Sequence, residues 1–432
     1  MSKRTGGRRL LVLSAALAGA VAVVAGAYFL ITQVFDDSEP APAPAPQAAI
    51  EQLEPADAEV TDLGFPAFAT KNTTRVAGPD PVFDAAGVAL AVYPATGGIE
   101  GPDAVSLVDV ADWQSGIAAA SLTAAPTGAP ILLTDGGEVP APTESALSGL
   151  APAGSKATDG AQAFRIGEAA QPGELETTEI EGSDPAEIAA EIDRLRTRLT
   201  ESEPDHLLLV GADEPAFAMP AAAWAARSGD PVLFLEGDEV PKPTLDALRR
   251  HKDVPVFVLG PEDAVSRRAF DAVAKASPGV VRIAGDDPVE NAVEFARYAA
   301  GDFGWNINDP GHGFVLANAD RPADAGAAAP LSASGTWGPL LLTDDVEELP
   351  GPLRGYLLDV KPGYEDDPTR AFYNHIWVIG DTRAISVGMQ ARVDEIADLT
   401  KVRSGTGGSI LGPEPGTPEP EGPGQGSNRH GG

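Results

Sequence analysis

Apolar residues fall along this chain in short unbroken runs rather than in alternation. Leu207-Leu208-Leu209-Val210, Val256-Phe257-Val258-Leu259 and Ile376-Trp377-Val378-Ile379 are apolar throughout. Such runs are expected of strands in a parallel sheet whose two faces are both covered by helices. Ala-rich stretches of helical character separate them, and some helix starts can be read directly. Asp184-Pro185-Ala186-Glu187 and Asp287-Pro288-Val289-Glu290 place Asp at the N-cap, Pro at the first helical position and Glu two residues later. Asp80-Pro81-Val82-Phe83 keeps the first two features and lacks the Glu. Each cap satisfies orphan backbone donors and contributes about 1 kcal/mol.

The pattern recurs. Gly128-Ala129-Pro130-Ile131-Leu132-Leu133-Thr134-Asp135 returns as Gly229-Asp230-Pro231-Val232-Leu233-Phe234-Leu235-Glu236, and again as Gly338-Pro339-Leu340-Leu341-Leu342-Thr343-Asp344. Upstream of each lies a strand-like run leading to Ala-Asp: Val108 to Asp112, Leu207 to Asp213, and Phe314 to Asp320. A third marker, Arg75-Val76-Ala77-Gly78, is answered by Glu179-Ile180-Glu181-Gly182 and Arg282-Ile283-Ala284-Gly285. Three markers in one order at nearly constant spacing indicate internal repetition. The fold class expected is α/β, with three tandem Rossmann-like modules built on parallel sheets. Each should begin with the strand of the third marker and run β-α-β-α-β-α-β, at residues 72–180, 181–282 and 283–400.

The ends of the chain differ from the middle. Lys3, Arg4, Arg8 and Arg9 lie in a basic segment, residues 1–9, followed by an uncharged apolar run at residues 10–35. That run exceeds the ~20 residues a helix needs to cross the hydrocarbon core. Its flanking charges put the N-terminus in the cytoplasm and the modules outside, as a single-pass transmembrane anchor. A cleaved signal peptide is the alternative, since Ala25-Gly26-Ala27 is a small-residue site, although Tyr28-Phe29-Leu30-Ile31 prolongs the apolar run beyond it. Residues 36–71 form a Pro/Ala-rich linker, and the Gly/Pro-rich tail at 401–432 has little to bury and is expected to be disordered.

Charge narrows the partners. The formal net charge is −34, and every acidic residue follows Phe35. A polyanion is repelled by such a field, so nucleic acid is excluded as a partner. The absence of Cys removes disulfides, thiolate metal sites and Cys nucleophiles.

These residues resemble the cell-wall-binding repeat family (type 2). The resemblance rests on the R-x-A-G strand end, the G-x-P-[IVL]-L-L-T-[DE] strand and a following P-x-x-T-like helix start. A later G-x-x-x-A-[VI]-S element completes it, here Gly260 through Ala264-Val265-Ser266 and Gly380 through Ala384-Ile385-Ser386. It covers roughly Asn72 to Thr400. The resemblance implies a non-catalytic surface protein that holds anionic wall polymers. The chain departs from the family where an Arg usually follows the G-x-D element, having Pro81, Pro185 and Pro288 there. The family's Asp at the start of the second helix is kept as Asp324, with Gly116 and Phe217 expected at the matching positions.

No catalytic constellation emerges. The histidines His206, His251, His312, His375 and His430 show no metal-ligand spacing. No G-x-S-x-G elbow or strand-linked phosphate loop is present. No enzyme activity and no cofactor is expected, and whether a metal binds stays open. Asp112, Asp213 and Asp320 stand after equivalent predicted strands, where open α/β sheets bind ligands, and Asp324 joins Asp320 in the third loop. These four are the candidate ligand-binding residues, either for a wall ligand or for Ca²⁺; the alternative is a helix-start role beside the positive end of the macrodipole. The partners expected are a cell-wall polymer or an envelope protein, with the membrane engaged through residues 10–35. Two other readings stay open, a protein–protein scaffold and an accessory or degenerate envelope enzyme.

Overall fold

The computed structural model describes residues 68–402 except 77 and 95–100. The expected basic segment, membrane anchor and most of the linker and tail lie outside the described residues. Among the described residues no helix is long and apolar enough to cross a membrane.

A short strand β1 (Phe68–Ala69) runs antiparallel to β2 (Thr73–Val76), which leads into helix α1 (Pro81–Val92). Next come β3 (Val105–Asp109), α2 (Trp113–Ala119), β4 (Ile131–Thr134), α3 (Ala141–Leu150), β5 (Ala163–Ile166) and β6 (Thr177–Ile180). These strands form a parallel sheet in the order β4-β3-β5-β6. Helix α4 (Pro185–Thr200) leads to β7 (Leu207–Gly211), α5 (Pro215–Ser228), β8 (Val232–Leu235), α6 (Lys242–Arg250), β9 (Val256–Leu259), α7 (Arg267–Ala276) and β10 (Val281–Ile283). The second sheet is parallel in the order β8-β7-β9-β10.

Helix α8 (Pro288–Arg297) leads to β11 (Gly313–Asn318), α9 (Ala323–Pro330), β12 (Leu340–Thr343), α10 (Gly351–Asp359) and β13 (Gly363–Tyr364). The described chain then ends with β14 (His375–Ile379), α11 (Val387–Ala397) and β15 (Thr400–Lys401), which pairs with β13. The third sheet is ordered β12-β11-β14, and its fourth place is filled by β2. The strand expected to open the first module therefore completes the sheet built from the far end of the chain.

This exchange follows a rule common to all three sheets. The helix after each fourth strand packs both on the second helix of its own sheet and on the next sheet. Thus α4 contacts α2 and β8, α8 contacts α5 and β12, and α1 contacts α9 and β4. The three sheets form a closed cycle, with α2, α5 and α9 packed on one another at its centre. Small residues permit that approach: a Cβ on Gly326 would lie 3.1 Å from the Gly116 carbonyl oxygen.

The unbroken apolar runs are the central strands. Leu207 to Val210 and Ile131 to Leu133 are buried, each such side chain contributing about 1.5–3 kcal/mol. The Asp caps also form as expected, Asp184 and Asp287 accepting from Glu187 N and Glu290 N at 2.8 Å, and Asp80 from Val82 N at 3.0 Å. The threonine of the P-x-x-T helix start ties helix to strand: Thr244 Oγ1 donates to Phe234 O at 2.7 Å, and Thr143 Oγ1 to Leu133 O at 2.5 Å.

The arginine of the R-x-A-G marker has a specific job. Arg282 donates to Gly260 O at 2.6 Å and Val265 O at 2.8 Å, pinning the loop before α7. Arg75 does the same for the loop before α11. After β5, residues 167–176 form no helix, and the marker position carries Glu179. There Arg165, on the neighbouring strand, faces Glu179 instead at 3.1 Å.

Candidate functional site

The loops after β3, β7 and β11 leave the carboxyl ends of central strands, where backbone amides and helix starts converge. Their alignment follows from the ladders: Val110 N, Ala212 N and Ala319 N each donate at 2.8 Å to Thr134, Leu235 and Thr343 carbonyls. Ala111, Asp213 and Asp320 are therefore equivalent. Asp112 falls one residue later, opposite Glu214 and Arg321, so the three aspartates follow equivalent strands without sharing one position. The same register sets Ser115, rather than Gly116, opposite Phe217 and Asp324.

Each candidate has a different environment. Asp112 caps α2, accepting from Ser115 N at 3.0 Å. Asp213 is exposed and holds the turn after β8 by accepting from Gly237 N at 3.2 Å. In the first sheet Asp109 does this work, accepting from Gly136 N at 2.9 Å. Asp320 is exposed, and its backbone N–H donates to Asn318 Oδ1 at 2.9 Å.

Asp324 is buried and belongs to a charged cluster. Arg321 Nη2 donates to Asp324 Oδ1 at 3.2 Å, and Arg321 Nε lies 2.8 Å from Asp324 Oδ2 without hydrogen-bond alignment. The same guanidinium pairs with Asp84 on α1, whose other oxygen accepts from Gly78 N at 2.8 Å. One arginine thus sits between two buried carboxylates. Burial, opposed by Arg321, pushes Asp324 up to about 7. Burial and the neighbouring Asp324 carboxylate hold Asp84 well above the ordinary range as well.

In the second sheet Asn291 occupies the place of Asp84 and donates to Phe217 O at 3.3 Å. In the first, Ile188 is the counterpart. Only the third copy of this junction, among the described residues, is ionic. Beside it a shallow cavity of about 230 Å³ is lined by Pro79, Asp320, Arg321, Asp381 and Arg383, among others. Arg383 donates to Pro79 O at 2.8 Å and to Asp381 Oδ2 at 2.8 Å.

Sequence reasoning missed Arg321, Arg383 and Asp84. Asp84 left one signal, a charged residue four positions after the cap on an otherwise apolar helix face. With Pro81 in place of the family's Arg, Arg321 brings the counter-charge from the neighbouring loop.

Among the described residues no group of three or more His, Asp and Glu could hold a metal ion. His206 is held between Asp230 at 3.2 Å and Asp302 at 3.1 Å. His251 is held between Glu203 and Asp193, the latter at 3.0 Å. Both ring nitrogens of each are engaged, which fits a structural role.

Residues 282–390 match the model of Cell wall binding domain 2 (CWB2). That segment is similar to a CWB2 domain. It begins at Arg282 in β10, spans the third sheet from β11 to β14, and ends at Gln390 in α11. Among solved structures, Cwp6 from Clostridium difficile aligns with a TM-score of 0.60 at 18% identity, over 76% of this chain and 47% of that one. Cwp8 from Clostridium difficile aligns with a TM-score of 0.59 at 20% identity, over 76% of this chain and 52% of that one. The chain spans about half the length of these two proteins, and at such identities the likeness is one of fold. No curated protein sequence matches the chain.

Proposed function

We propose that this chain is a non-catalytic envelope protein that associates with the cell wall through three CWB2-type repeats, at 72–180, 181–282 and 283–400. The observation that carries this reading is the shared plan of the three sheets. Each places its second strand, its long helix and its fourth strand alike, and the CWB2 match lies on one of them. The repeats would stand outside the cell, tethered by the apolar run at 10–35 and spaced from the membrane by the Pro/Ala linker. Of the four candidate aspartates, Asp213 and Asp320 are exposed, and Asp320 has the freer carboxylate because Asp213 also accepts from Gly237 N. Asp112 and Asp324 are occupied within the fold.

The test is a pull-down of the full chain on purified peptidoglycan carrying its attached polymers. Retention on walls is the expected outcome. Absence of retention under all salt conditions would overturn the proposal and favour a protein–protein scaffold, which the −34 net charge makes the second reading.

A further inference from the structure

Three of the chain's five tryptophans line one cleft between the second and third sheets. The cleft has a volume of about 450 Å³ and is walled by Trp224, Trp305 and Trp337 together with His206, Asp302 and His312. This volume lies within the range of small-ligand sites. Trp224 is buried and packs edge-to-face on Trp305, with ring centroids 5.5 Å apart. Trp305 keeps its indole N–H buried without a hydrogen-bond partner in the protein.

Trp337 is built differently. It is 55% exposed, and its backbone is left-handed, with φ of 52°. That region is sparsely populated by bulky residues, and strain of this kind concentrates at functional positions. The next residue, Gly338, leaves no room for adjustment, because a Cβ there would lie 1.7 Å from Gly313 O. The chain therefore holds a large indole in solvent at a position where Gly or Asn would relieve the strain.

The aromatic surface continues past the cleft. Phe372, 70% exposed, abuts Gly311 beside His312, and Tyr373 next to it is 50% exposed. An exposed ring with an open face is a platform for the C–H face of a pyranose. The exposed Asp302 carboxylate can accept from its hydroxyls and the His312 imidazole can donate to them, while Asp230 is taken up by His206 and Trp224. A cage for a quaternary cation would require rings boxed around one point, and here Trp224 and Trp305 pack on each other. A polyanion is disfavoured because Asp205, Asp230 and Asp302 along the same wall outnumber its one arginine, Arg227.

We infer that this cleft is a binding site for a neutral, pyranose-containing glycan chain, with Trp337 as its stacking platform and Asp302 as a hydroxyl acceptor. The site is distinct from the strand-end loops, and it adds a ligand class to the wall-association reading without depending on it.

The test uses the full chain in a non-glycosidic detergent, titrated with neutral tetrasaccharides of N-acetylglucosamine, glucose, galactose and mannose. Calorimetry and tryptophan fluorescence provide the readouts. At least one tetrasaccharide should bind and shift the emission, and Trp337→Ala should weaken that binding by about tenfold or more with the circular dichroism spectrum unchanged. Asp302→Asn should weaken it as well; because Asp302 also pairs with His206 Nε2 at 3.1 Å, the circular dichroism spectrum of this variant is checked in the same way. If no tetrasaccharide binds at millimolar concentration, or if Trp337→Ala binds as well as the parent chain, the inference is overturned. Wall retention alongside either result would leave the wall-association proposal standing. Tetrasaccharide binding by a chain that ignores walls would do the reverse.

Discussion

Arg75 donates from Nη1 to the carbonyl oxygen of Gly380 at 2.7 Å, across 305 residues of chain. The same guanidinium reaches Asp381 O at 2.9 Å and Ile385 O at 2.8 Å, and its Nε donates to Gln390 Oε1 at 2.8 Å. The residue is buried, and burial lowers its pKa to about 10, so it remains charged at neutral pH. It is the clasp that closes the cycle of three sheets.

Removing this clasp should be costly. Arg75→Leu strips several carbonyl oxygens of a charged donor, each such bond contributing about 1.5–3 kcal/mol. Urea denaturation should show a loss of about 3 kcal/mol or more. Arg282→Leu, whose guanidinium is partly exposed and bonds two carbonyls, should lose less. Equal losses would mean that closure adds nothing beyond a local loop contact.

Opening the ring should loosen the third sheet first. In a variant lacking residues 68–76, β14 becomes an unpaired edge. Hydrogen exchange should then rise at Ile376 to Ile379 and in α11, and change little in the second sheet. Uniform acceleration over all three sheets would argue for a single cooperative unit.

Stability should fall as pH rises from about 5 to 8. Burial raises Asp324 and Asp84 above their unfolded values. Burial alone would lower His206 and His251, but their bonds to carboxylates outweigh it and the net shift is upward. A raised folded pKa contributes stability that is complete below the unfolded value, ~3.9 for Asp and ~6.5 for His, and is lost as pH passes the folded value. These four groups act in the same direction; His375, which burial lowers, opposes them below about pH 6.5 and is outnumbered. Urea midpoints measured across this range should decline, and Asp324→Asn should flatten the decline. A midpoint that rises with pH would contradict the assignment.

The centre of the ring should tolerate no added volume. Gly326→Ala brings a Cβ to 3.1 Å from Gly116 O, and overpacking of this kind costs about 1–3 kcal/mol. Gly355→Ala, where nothing lies within 4 Å, is the control and should be neutral or slightly stabilising within its helix.

Wall binding should survive high salt. Attraction of a basic patch to an anionic polymer is screened within ~3 Å at 1 M salt, whereas this chain carries −34 and would be repelled. Retention on walls at 1 M NaCl should match or exceed that at 0.1 M. Steep loss with salt would assign binding to a local basic site, and Arg321 and Arg383 are the residues to substitute first.

The sequence by itself determined the strands, helix caps and marker motifs, because these depend on local periodicity and on hydrogen bonds within a few residues. The unbroken apolar runs became buried parallel strands, and Asp184 and Asp287 became caps. Which sheet a strand joins is a different question, since β2 could pair with any strand edge that its length and pattern fit. Only tertiary packing sends Thr73–Val76 to β14, where the Arg75 guanidinium finds five acceptors. The candidate site divides in the same way. Acidic residues after the central strands were legible as residues, but a shift of one position in register separates Asp112 from Asp213 and Asp320. Nothing local links Asp84 to Arg321, 237 residues apart. Their meeting is decided where α1 crosses onto α9, because a buried carboxylate needs a counter-charge that only the folded cycle brings within reach.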